Sequence, residues 1–143
     1  MSEAIMKKSV ISALLLLAWT GAFAQTPEPV FEELPGPGKT CRIGDAYTFT
    51  YEFDKTPKMG MAILKVRLFD ETGKRTTGLE ITGRSDMPSM SGAHDSGEVP
   101  FQLNRKGDYL LPVDVVMPGE WEIRLVFSSN KEVIFRGSFK FDV

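Results

Sequence analysis

The segment DMPSMSGAHDS, residues 86–96, places Met87, Met90 and the chain's only histidine, His94, within eight positions of one another. A thioether is neutral, soft and polarizable. It ligates Cu(I) well and hard cations poorly, and imidazole suits copper too. Methionine needs no deprotonation and forms no disulfide, so it remains a competent ligand in an oxidising compartment. The spacing allows convergence. Pro88 stiffens the chain between the two methionines, and Gly92 lets it fold back toward His94. Met117, in VVMPGEW, stands before a turn and can come from a different loop to complete a three- or four-ligand set. Met59 and Met61, in KMGMA, join only if their loop lies at the same end of the fold; taken alone they read as core or rim packing. A second reading of all these residues stands beside the first. Methionine is a common gap filler, and a lone loop histidine is commonly solvated. Residue types alone leave both open.

Other chemistries find little support. The chain has no G-x-S-x-G elbow, no H-E-x-x-H and no phosphate-cradling glycine loop. One histidine and one cysteine remove most nucleophile–base pairings, and the carboxylates scatter over polar positions, so no enzyme is expected. A blue-copper centre wants two histidines and a cysteine, so no redox role is expected either. With 42% hydrophobic and 25% charged residues and a net charge of −2, the chain lacks the basic face that nucleic acid requires. Cys41 has no intramolecular partner and reads as a small buried hydrophobe, an intermolecular bridge or metal thiolate being the alternatives.

The elements that must hold such a site come from the remaining pattern. Residues 1–24 read as a signal peptide: Lys7 and Lys8, an apolar stretch from Val10 to Trp19, and Ala22-Phe23-Ala24 before the expected cleavage point. That stretch is short for a membrane span. Export to a periplasm or to the outside of the cell follows, with no membrane span after cleavage. Residues 25–41 are rich in proline and glycine and read as an extended leader, so the folded domain is expected over 42–143, beginning near Arg42. From there the pattern has period two. About seven short runs alternate, with turn residues between them: YTFTYEF, ILKVRLF, TTGLEIT, EVPFQLN, YLLPVDV, WEIRLVF and EVIFRGSFKFDV. This predicts an all-β fold, an antiparallel immunoglobulin-like or cupredoxin-like β-sandwich, with a barrel as the alternative. Pro112 places its strand at an edge or a bulge. Gly107 is expected at positive φ in NRKGD, and Trp121 between the sheets.

The run from Met87 to Phe127 resembles the YtkA-like family of exported bacterial domains, related in outline to the periplasmic domain of FixH. The matching features are M-P-x-M with a following histidine (Met87, Pro88, Met90, His94), then Gly107-Asp108-Tyr109, then M-P-G-x-W (Met117, Pro118, Gly119, Trp121). The resemblance implies a sandwich of the kind above and an association with metal handling or respiratory-oxidase assembly, copper being the suspected ion. The chain departs from the family where members carry glycine-histidine directly after the second methionine. Here Met90-Ser91-Gly92-Ala93-His94 intervenes, which weakens His94 as a ligand more than Met87 or Met90. Two functions follow as expectations. The first is a Cu(I)-binding module using Met87, Met90, Met117 and His94. The second is a metal-free interaction domain that docks an envelope transporter or an oxidase under assembly.

Overall fold

Alternation along the chain is realised strand by strand in the computed structural model, which describes residues 21–143. The expected signal peptide, apart from its last four residues, lies outside the described residues. Ten strands form: β1 (Glu32–Glu33), β2 (Cys41–Ile43), β3 (Tyr47–Phe53), β4 (Gly60–Asp70), β5 (Glu80–Asp86), β6 (Val99–Pro100), β7 (Gln102–Leu103), β8 (Tyr109–Val115), β9 (Glu120–Ser129) and β10 (Glu132–Asp142). A single 3₁₀ turn, Pro88–Met90, is the only helical element among the described residues. None of their helices is long and apolar enough to cross a membrane.

The strands build two five-stranded sheets, in the orders β1-β10-β9-β5-β6 and β2-β3-β4-β8-β7. All pairings are antiparallel except β1 with β10. Each sheet turns one face to the other, and period two sends the apolar set there. In β4 these are Ala62, Leu64, Val66 and Leu68; in β8 Tyr109, Leu111, Val113 and Val115; in β9 Trp121, Ile123, Leu125 and Phe127. Aromatic rings bridge the two layers, with Phe49 and Phe127 centroids 4.5 Å apart and Tyr51 stacked on Phe139 at 4.3 Å. The all-β sandwich is therefore the fold.

Three strands exceed the seven expected. One, β1, lies wholly within the stretch read as a leader, and a second, β2, begins at the last residue of that stretch and runs through Arg42. There β1 pairs with Gly137 and Ser138 of β10, and Leu34 is buried in the core. Leu34 fits because position 137 is glycine: a Cβ there would stand 2.5 Å from Leu34 Cδ2. Tyr51 Oη donates to the Pro35 carbonyl at 2.6 Å and holds the segment down. Pairing thus begins at Glu32 and not near Arg42. The third arises because EVPFQLN is two strands. The chain leaves the first sheet at Pro100 and enters the second at Gln102, with Phe101 buried at the crossing. Leu103, expected inward, is half exposed as a result.

Pro112 lies on β8 beyond the two residues that β7 covers, so this stretch is locally an edge, where a missing N–H is tolerated. Gly107 has φ +77, as its turn demands. Behind that turn Asp108 is buried. Its carboxylate accepts from Arg67, Arg75 and Asn104 and ties three segments together.

Candidate metal centre

One end of the sandwich collects the C-terminal ends of β3, β5, β8 and β10 and the N-terminal ends of β4 and β9, as the antiparallel registers require. The loop after β5 carries Met87, Met90 and His94. The crossing from β8 to β9 carries Met117, and the start of β4 carries Met59 and Met61. The chain has seven methionines, and all five beyond Met6 therefore lie at this end, together with its only histidine.

The loop after β5 is held at both ends. Asp86 accepts the Met87 N–H at 2.8 Å with one carboxylate oxygen and the Gly92 N–H at 3.0 Å with the other. The Met90 N–H donates to the Met87 carbonyl at 3.0 Å, and the Ala93 N–H to that of Met90 at 2.9 Å. These bonds wind residues 87–93 into a compact turn, with Gly92 at φ +84. Past His94, Asp95 forms a two-pronged ion pair with Arg84 of β5, its Nε donating at 2.7 Å. The Arg84 hydrogen bond holds the Asp95 carboxyl below the usual carboxylate range. Ser96 is tied to Ser85 by two bonds of 2.9 Å. His94 thus sits between anchored residues.

The opposing turn is fixed with equal economy. Trp121 Nε1 donates to the Met117 carbonyl at 3.0 Å. Gly119 has φ +135 and exchanges two backbone bonds with Val143, at 2.9 and 3.0 Å. The Met87 methyl packs against Gly119, 2.9 Å from where a Cβ would stand. The His94 ring lies 6.2 Å from the Trp121 ring, centroid to centroid. Met87, His94 and Met117 therefore surround the same Pro118–Trp121 turn.

Their exposures differ. Met87 is 2% exposed and belongs to the core. Met117 is half-buried and packs on the core, and His94 is half-buried. Met90 is 42% exposed. Of the soft donors, Met90 is thus open to solvent, His94 and Met117 are partly so, and Met87 is enclosed. The donor set fits a soft monovalent ion. Among the described residues no group of three histidine, cysteine or carboxylate side chains is arranged to hold a metal. Cys41 does not contribute: it is buried on the edge strand β2 opposite Phe49, which pairs in turn with Leu68 in the C-terminal half of β4, away from this end.

Two features of this end were not anticipated from the sequence. One is Trp121 as the neighbour of His94. The other is Asp86 as the knot of the loop. An acidic residue directly before a Met-Pro turn is the available signal for the second, since Asp commonly caps its own following backbone. Beside the loop, Pro88, Ser91 and Gly92 together with Arg84, Asp86, Asp95, Glu122 and Arg124 line a polar hollow.

No protein-family model matches the chain, and no curated protein does. Among solved structures the chain is similar to FetP of uropathogenic Escherichia coli strain F11, crystallised as isolated after recombinant expression in the periplasm of E. coli. The TM-score is 0.49 at 12% sequence identity, over 75% of this chain and 93% of that one. A copper-bound variant of FetP matches with a TM-score of 0.48 at 10% identity, over 73% and 93% of the two chains.

Proposed function

We propose that the protein is an exported module that binds Cu(I) at the methionine-bearing end of its sandwich, to receive, buffer or pass on the ion in the periplasm or outside the cell. The supporting observation is the placement of its soft donors. All five methionines beyond Met6, and the only histidine, occupy one end of a fold whose other turns carry none. Met90 is the exposed donor, His94 and Met117 are half-buried, and Met87 is enclosed in the core. Neutral thioethers and imidazole leave the charge of a bound Cu(I) uncompensated, which suits moderate affinity and release better than permanent sequestration.

A metal-free docking domain is the second reading. It is favoured by the exposure of Met59, Met61, Met90 and Val116 at this same end, a set of apolar side chains that an envelope partner would cover. Competition with a Cu(I) chelator under reducing conditions separates the two. On the copper reading the protein withdraws Cu(I) from the chelator, and Met90→Leu and His94→Ala each weaken it by roughly tenfold or more, about 1.4 kcal/mol per decade. A protein that leaves the chelator fully loaded would leave only the docking reading.

A further inference from the structure

Met59 and Met61 have no role in the site around Trp121, yet they are the two most exposed methionines among the described residues, at 54% and 63%. They flank Gly60, whose φ of +100 bends the entry to β4. Both line one shallow hollow with Asp54, Lys55, Thr56, Lys58 and Ala62. Register places that hollow relative to the first site. Gly60 pairs with Val115 and Met61 with Asp114, so Met59 lies alongside the residues that lead from Val115 into Met117.

We infer that Met59 and Met61 form a second, weaker thioether site for a soft monovalent ion, adjoining the Met90–His94–Met117 site. The inference rests on the Cu(I) reading above. Several observations support it. Met59 and Met61 are separated by one residue and line the same hollow, and two flexible methionine side chains can bring their sulfurs together there. Leucine or valine would serve a packing role here equally well, but neither side chain is packed. Lys55 and Lys58 flank the hollow and oppose a multiply charged cation. Asp54 beside them and Asp114 opposite Met61 balance those lysines, so a single positive charge is admissible. With two thioethers and open solvent the site captures an ion without much dehydration and holds it loosely. Its neighbour adds an imidazole and a partly buried thioether and holds it more firmly. The pair forms an order of increasing affinity from the rim inward.

Silver(I) replaces Cu(I) as the probe, being soft, monovalent and stable in air. Methionine methyl groups are labelled with carbon-13 in the purified protein, and their resonances are followed as silver nitrate is added. The wild type should bind about two silver ions, with the Met90 and Met117 methyls shifting before those of Met59 and Met61. In Met59→Leu/Met61→Leu, uptake should fall to about one ion with the Met90 shift retained. In Met90→Leu/His94→Ala, the Met59 and Met61 methyls should still shift. The second site is overturned if those two methyls stay fixed while Met90 moves, a result that spares the first site. If no methyl moves, both fall. Leucine preserves bulk at these exposed positions, so loss of fold does not confuse the outcome.

Discussion

The Met87 methyl rests on Gly119, 2.9 Å from the position that a Cβ would take. This contact joins the two methionine-proline motifs: one supplies the side chain, the other the space. Gly119 also has φ +135, a conformation that side-chain-bearing residues rarely adopt. Gly119→Ala should therefore lower stability by about 2 kcal/mol, chiefly through backbone strain, because the Met87 methyl is a flexible end that can shift. Urea unfolding measures this. Met90→Leu, whose side chain is exposed, should leave the urea midpoint where it is.

Cys41 predicts an alkaline limit to stability. Burial pushes its thiol up to about 11, and the Glu32 carboxylate adds to this. The unfolded chain releases this proton near pH 9 and the folded chain holds it to about 11. Between those values the unfolded state binds fewer protons, so stability falls as pH rises, by on the order of 2 kcal/mol across the window. Tyr51, pushed up to about 12 by burial and by Cys41, extends the decline. Its hydroxyl must keep its proton to donate to Pro35. Unfolding free energies measured from pH 8 to 11 should slope downward in the wild type and less steeply in Cys41→Ala, what remains near the upper end being the share of Tyr51. An unchanged slope in the variant would remove Cys41 as the cause.

Asp108 makes the acid-side counterpart. Burial raises its pKa, but hydrogen bonds from Arg75 and Asn104 and the charges of Arg75 and Arg67 outweigh that, and the carboxyl lies below its usual range. Its contribution is complete above the ordinary carboxylate pKa and is lost as pH falls through the folded value. Asp108→Ala leaves Asn104 and two arginines without their shared acceptor. It should cost about 2 kcal/mol near neutrality, less than a fully buried pair because both arginines are partly exposed. Thermal unfolding of the variant at neutral pH and at pH 3 checks this, the deficit being smaller in acid.

Much of the fold was legible because inward positions were strongly apolar. In β9 and β8 every second residue is large and buried, and the sequence showed it. β5 was faint because its inward positions include Gly83 and Ser85. The space there belongs to its neighbours: a Cβ on Gly83 would meet Leu111 at 2.5 Å and Phe101 at 2.9 Å. β1 could not be read at all. Two residues paired in parallel beside prolines leave no periodic trace. The sheet switch at Phe101 was hidden too, since an inward aromatic looks the same whichever sheet its flanks join. At the candidate site the motifs were visible by residue type. Their grouping needed the register, which alone brings the start of β4 beside the β8–β9 turn. The position of His94 next to Trp121 needed the anchoring of Asp95 by Arg84, a contact across eleven residues that no local pattern announces.

The short parallel strand β1 guards the flank of the longest ribbon in the first sheet. Without residues 32–34, the backbone of β10 at Gly137 and Ser138 would be uncovered, and the slot above Gly137 would gape where Leu34 now lies. A second molecule could then add its own strand there and begin to polymerise. The proline-bearing stretch therefore closes the middle of this edge, and proteolysis past Leu34 should lay that part of it open.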